Sequence, residues 1–179
     1  MNKLKLILVV LIGFSFYSIQ KQKEIQKIEK PNVENGFVIN DEDYTIRFKL
    51  ENTNSQNPIL VIAMELKKGA HYISPFAKRD FKGKFYMDLG SYKDIDFEEE
   101  IVEIPKSIEE IDPHPFTNGT VNWVRVNTTY KQALNIKTKG DFEVFGRVRF
   151  TIEPRCTLEE IPFAIRIKDG VIKLYSPKC

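Results

Sequence analysis

An all-β sandwich is the fold class this sequence predicts, from three observations. Apolar residues recur with a period of two after residue 36, the segments so patterned are short, and each is bounded by turn-forming Gly, Pro, Asn, Asp, Ser or Lys. No comparable stretch sustains a helical period.

In order along the chain, YTIRFKL places Tyr44, Ile46, Phe48 and Leu50 on one face and Thr45, Arg47 and Lys49 on the other, the signature of a half-buried strand. PILVIAMEL, GKFYMDL, VNWVRVN and QALNIKT follow as further strands, separated by NTNSQNP, KKGAH and KTKGD. DFEVFGRVRFTI is the clearest: Phe142, Val144, Gly146, Val148, Phe150 and Ile152 share one face, and Phe145 alone interrupts the charged opposite face. A strand of that length spans about 40 Å, so Gly146 at its middle predicts a bend or bulge. IPFAIRI and VIKLY close the series as a hairpin around Asp169-Gly170, a pair suited to the positive φ angles of a tight turn. Glu98 to Glu110 is acidic and weakly patterned, a strand edge or a loop. Seven to nine strands of uneven spacing, one of them long, favour an immunoglobulin-like sandwich over a barrel.

The N-terminus, MNKLKLILVVLIGFSFYSIQ, has two lysines and then an apolar run from Leu6 to Phe16, which predicts a secretory signal peptide over residues 1–20; an uncleaved anchor is the alternative. No cysteine follows the run in the place a lipoprotein signal requires. Lys21 to Asn35 is polar and predicts a linker. The remaining segment, 36–179, is long enough for one domain with its own core. Loss of Lys3 and Lys5 with the signal leaves 25 basic and 25 acidic side chains, so the exported chain carries no basic excess for nucleic acid. A periplasmic or secreted location follows, with no integral membrane domain beyond the signal segment.

Chemistry-bearing motifs are sparse. His71 and His114 stand far apart and in no chelating spacing, so no metal is expected, and nothing calls for a cofactor. No Gly-x-Ser-x-Gly elbow is present. The acidic run DIDFEEEIVEI fits solvated edge charges better than paired catalytic carboxylates. Phe142, Phe150 and Trp123 fall on alternating strand positions and are expected in the core. HYISPFAKRDFKGKFY carries His71, Tyr72, Phe76 and Phe81 among Lys and Arg, a candidate binding loop for a peptide or another domain; folding of Phe76 and Phe81 back over one end of the sandwich is the equal alternative. Of the two cysteines, Cys156 lies at the tip of the hairpin FTIEPRCTLEEIPF and Cys179 ends the chain. The hairpin at Gly170 returns the chain toward Cys156, so a Cys156–Cys179 disulfide is topologically open to it. Arg155 and Lys178 flank the two thiols and would favour their thiolates.

LKKGAHYISP early, and VRFTI entering a cysteine-bearing turn late, resemble the N-terminal periplasmic domain of DsbD-type thiol:disulfide interchange proteins, the disulfide corrector domain, over roughly Asn35 to Tyr175. Gly69, His71 and Ser74 keep that family's early pattern, Ala70 replaces its Trp, and Tyr72 and Ile73 come in swapped order. The resemblance implies an immunoglobulin-like sandwich with a reversible disulfide in the late hairpin, shielded by an aromatic loop and exchanging with thioredoxin-like envelope partners. Cys156 matches one member of that pair. Thr151 or Ile161 stands where the other would be, so Cys179 is the remaining thiol able to resolve a mixed disulfide. Two readings of function stay open: an envelope accessory that binds proteins and takes part in thiol–disulfide exchange, with Cys156 and Cys179 reacting, and a non-enzymatic adhesion or ligand-binding sandwich with a structural disulfide.

Overall fold

Thirteen strands and no α-helix make up the described part of the chain, which in this computed structural model comprises residues 35–55, 57–113 and 119–177. The predicted signal peptide (1–20), nearly all of the predicted linker, His114, Lys178 and Cys179 lie outside the described residues. No helix among the described residues is long and apolar enough to cross a membrane.

Three antiparallel sheets are built from these strands. The largest runs β1 (Gly36–Asn40), β2 (Tyr44–Glu51), β3 (Ile59–Leu66), β10 (Thr128–Ile136), β6 (Ile95–Phe97), with β7 (Val102–Ile104) also on β10. The second runs β13 (Val171–Tyr175), β12 (Thr157–Lys168), β11 (Phe142–Ile152), β5 (Tyr86–Asp88). A small third sheet, β4 (Tyr72–Ile73), β9 (Gly119–Val124), β8 (Glu109–Asp112), adjoins the end of β11 through an antiparallel bridge between His71 and Glu153.

The alternating faces pack as the sequence requires. Tyr44, Ile46, Phe48 and Leu50 of β2 are buried against Val148, Phe150, Phe163 and Ile165 of the opposing sheet in one continuous core. Phe150 meets Tyr44 edge-on at 5.2 Å between centroids, and Phe85 stacks on Tyr130 at 4.0 Å. Each such fully buried aromatic contributes on the order of 2–3 kcal/mol through burial alone. These contacts make the domain an all-β sandwich.

Two expectations need correction. No bulge interrupts β11: it pairs with β12 residue by residue from Phe142 opposite Ile167 to Ile152 opposite Thr157, with Gly146 opposite Phe163 inside the ladder. Gly146 is required by packing, since a Cβ there would lie 2.3 Å from Cζ of Phe163 and 2.7 Å from the Asp88 carbonyl. The strand count also exceeds nine, because β4, β6, β7 and β8 are too short for alternation to announce them and β1 has no fully buried face.

One polar chain crosses the core. Tyr72 and Tyr130 share a hydroxyl hydrogen bond of 3.0 Å, and Tyr130 donates to Oε1 of Glu103 at 3.0 Å. Oε2 of Glu103 accepts the Ser107 N–H at 2.9 Å. Burial, reinforced by the Glu103 charge, pushes both tyrosine hydroxyls well above the usual phenol range, so they remain neutral donors. Glu103 is thus the one fully buried acid in a run whose other members are half-buried or exposed, and it anchors the 105–108 loop that forms one wall of the site below.

Candidate functional site

The turn between β11 and β12 is Glu153-Pro154-Arg155-Cys156, with a cis peptide bond before Pro154. Cys156 has φ 56°, the left-handed region, and presents an exposed thiol with no disulfide partner among the described residues. A side chain in that conformation crowds its own carbonyl and costs about 1–2 kcal/mol, which Gly or Asn would largely avoid. Neighbouring contacts hold the turn. Glu153 and His71 exchange backbone hydrogen bonds of 2.8 and 3.1 Å, and Arg155 fixes the other side.

Arg155 is the hub of four carboxylates. Its Nη1 donates to Glu42 at 2.7 Å, and its Nη2 donates to Asp41 at 3.0 Å and to Glu159 at 2.9 Å. Its Nε lies 3.2 Å from Asp43, within ion-pair range but without hydrogen-bond alignment. The acids come from two places: Asp41, Glu42 and Asp43 form the β1–β2 turn, where Asp41 also accepts the Asp43 N–H at 3.0 Å, and Glu159 lies on β12. The second oxygen of Glu159 accepts the Tyr44 hydroxyl at 2.9 Å. The Glu42 hydrogen bond, with Asp41 and Asp43, raises the guanidinium pKa further above its ordinary value. The Asp43 N–H, followed by Arg155, holds the Asp41 carboxyl below its ordinary range. This corrects the sequence expectation for Arg155, whose guanidinium is turned to carboxylates rather than held for the adjacent thiol. Four acids around one cation leave an electronegative surface beside Cys156.

On the other side of the His71–Glu153 bridge lies an aromatic groove. His71 donates from Nδ1–H to the Gly69 carbonyl at 3.0 Å, and its ring meets Trp123 edge-on at 4.9 Å. Trp123 donates its indole N–H to Asp112 at 2.9 Å and lies under the Arg125 guanidinium at 5.4 Å. Trp123 lines an open groove of about 310 Å³ with Pro105, Lys106, Ile108 and Val126. Ile108 is 82 % exposed and Val126 is 56 % exposed. Trp123, expected in the core, is therefore a half-buried surface aromatic. Its sequence neighbourhood carries a signal for this, because the charged Arg125 stands two residues on in the alternating segment VNWVRVN.

The other predicted loop residues divide. Tyr72 is completely buried and belongs to the core, which removes it from the binding loop. Phe76 and Phe81 are half-buried: Lys106 lies 5.7 Å over the Phe76 ring and Arg79 lies 4.8 Å over the Phe81 ring. Ser74, buried completely, accepts the Phe76 N–H at 3.0 Å and turns this loop back onto the domain. Phe142 packs partly buried against the core and Phe150 lies fully inside it.

Neither residue standing in for a second cysteine faces Cys156. Thr151 pairs opposite Leu158 and fills the space where a Gly83 side chain would be, and Ile161 is buried opposite Val148. Cys179 lies outside the described residues, as does His114. Among the described residues no group of His, Cys, Asp and Glu could hold a metal ion. No protein-family model matches the chain, and no curated protein sequence is similar to it.

Proposed function

We propose that the chain is an exported, immunoglobulin-like protein-binding accessory of the disulfide-corrector type, contacting envelope proteins through the end of the sandwich that carries the Cys156 turn and the Trp123 groove. The observation that carries this reading is the Cys156 turn itself. A thiol occupies a left-handed tip position better suited to Gly, is exposed, and is tied by the His71–Glu153 bridge to an apolar groove. A strained residue retained at an exposed tip is a reason to look for function there.

In exchange, the Cys156 thiolate attacks one sulfur of a partner disulfide, forming a mixed disulfide and releasing the partner's other sulfur as thiolate. Cys179 thiolate then attacks the Cys156 sulfur, forming Cys156–Cys179 and releasing the partner's second thiolate. Two electrons pass from this chain to the partner, a thioredoxin-like protein in the direction the resemblance implies, and the pair is recharged by the reduced dithiol of a membrane-embedded protein.

Glutathione disulfide serves as the probe. The reading expects that Cys179→Ser retains one glutathione on Cys156, that the natural chain instead closes an internal disulfide, and that Cys156→Ser, which keeps only Cys179, acquires its adduct more slowly because Cys156 is the attacking thiol. An unreacted Cys156, or equal adduct on the natural chain and on Cys179→Ser, overturns it. The second reading, a non-enzymatic adhesion or ligand-binding sandwich, is favoured by the groove, which needs no thiol. It predicts an internal disulfide that resists reduced glutathione and a lower melting temperature for Cys156→Ser.

A further inference from the structure

The outward face of the β13-β12-β11-β5 sheet has a composition its position does not require. Along β11 the outward residues are Glu143, Phe145, Arg147, Arg149 and Thr151, each alternating with a core residue. Phe145 is 50 % exposed, although a polar side chain at that register would cost the core nothing. It stands in a row with Ala164 on β12 and Tyr175 on β13; Ala164 is itself fully covered, so the two flanking rings supply the accessible apolar surface.

Cations ring this row. Arg166 donates to Tyr175 at 3.1 Å while lying 5.3 Å over its ring, and Arg149 lies 5.3 Å over the ring of Tyr86, itself 46 % exposed. Arg147, Lys168 and Lys173 complete the set. Five cations thus face three strand carboxylates, Glu143, Glu160 and Asp88, with Asp169 of the β12–β13 turn as a fourth beside Lys168 and Lys173. The strand acids are already engaged: Glu143 by Arg166 at 2.7 Å, Glu160 by Arg147 at 3.0 Å, and Asp88 by Arg147 at 3.5 Å. Arg149, Lys168 and Lys173 have no carboxylate partner among the described residues.

We infer that this face is a docking surface for a protein partner that presents carboxylates around an apolar centre. Exposed aromatics braced by arginine are the residue types that anchor protein contacts, and three unpaired cations set the sign of the partner. A second copy of this chain is disfavoured, because face-to-face pairing would oppose like charges. Strand addition is disfavoured as well. β13 ends opposite Ala164, and on the stretch of β12 left open Pro162 lacks a donor. The rings and cations all stand on the face, so the partner lies across it. The inference does not depend on the thiol reading, and its test uses the full chain carrying Cys156→Ser.

The probe is a synthetic peptide of alternating Glu and Phe, followed by amide chemical shifts, beside versions with Gln or Lys in place of Glu. The Glu peptide is expected to bind with shifts confined to residues 143–149, 162–168 and 171–175, and at least about tenfold more tightly than the Gln version. Raising salt from about 50 to about 300 mM should weaken it severalfold. Phe145→Ser and, independently, Lys173→Glu should each weaken it about tenfold, Lys173→Glu at an unchanged melting temperature and Phe145→Ser losing only the stability of its half-buried ring. Binding of all three peptides within twofold, shifts centred elsewhere, or self-association through this face overturns the inference. So does binding to phosphatidylglycerol vesicles without binding to the Glu peptide, which would assign the cations to lipid headgroups.

Discussion

Strand β12 enters and leaves through two tight turns, and they are built on opposite principles. Asp169-Gly170, leading into β13, has φ 52° and 76°, with the Asp169 N–H donating to Asp141 at 3.0 Å. Asp and Gly accept left-handed geometry readily, so this turn is made by its own residues. The turn entering β12 instead places Cys156 at φ 56° and relies on partners far away in sequence: His71 on Glu153, and Asp41, Glu42 and Asp43 on Arg155. A turn whose own residues suit it poorly is kept by tertiary contacts, and what it gains is an exposed thiol.

The largest test of this contrast is in the body the two turns share. Gly146→Ala should destabilise the domain by about 3 kcal/mol, since its new methyl meets Phe163 and the Asp88 carbonyl. Gly146→Ala combined with Phe163→Leu should recover much of that loss in urea denaturation, because the ring is the nearer obstacle. Independent losses in the double variant would show that the ring contact is not the cause.

The turns themselves should respond with opposite signs. Gly170→Ala has no neighbour within 4 Å of the new Cβ, so only its φ of +76° matters, and the cost should be about 1 kcal/mol. Cys156→Gly should instead gain about 0.5–1 kcal/mol, while Cys156→Ser, which keeps a Cβ, should be near neutral if the thiol is unbridged. Equal and opposite denaturation shifts would locate the strain at Cys156, and a destabilised Cys156→Gly would show that the thiol contributes to packing or bridging.

The smallest effect is on acidification. Asp41 has a folded pKa below its ordinary 3.8, so the stability it contributes is complete above that value and is lost as pH falls through the depressed one. Arg155→Ala should lower the melting temperature at neutral pH, where the acids around it are charged, and should flatten this acid limb. A melting temperature of Arg155→Ala that still falls as steeply as the natural chain's below about pH 4 would show that the Asp43 N–H rather than Arg155 sets this acid limb.

Much of the fold was legible because strand alternation is local. β2, β3, β11, β12 and β13 are long enough for side chains two apart to show a buried face, and the Asp169-Gly170 turn follows from its two residues. The short strands were not legible: β6 and β7 exist because β10 supplies hydrogen-bonding edges to residues more than twenty positions away. The site was half legible. Cys156 at a hairpin tip follows from the pattern around it, whereas the Arg155 carboxylate cluster joins residues 113 and 114 positions apart.

By itself, then, the sequence determined which side chains share a face, where β12 turns into β13, and that the chain builds an all-β core, because these depend on backbone geometry over a few residues. Tertiary structure alone decided that Gly146 makes room for a ring rather than a bulge, that Tyr72 is core while Trp123 is surface, and that Arg155 serves four acids. Those outcomes depend on which strand closes against which, a choice made by the complementarity of the whole core and invisible in any single segment.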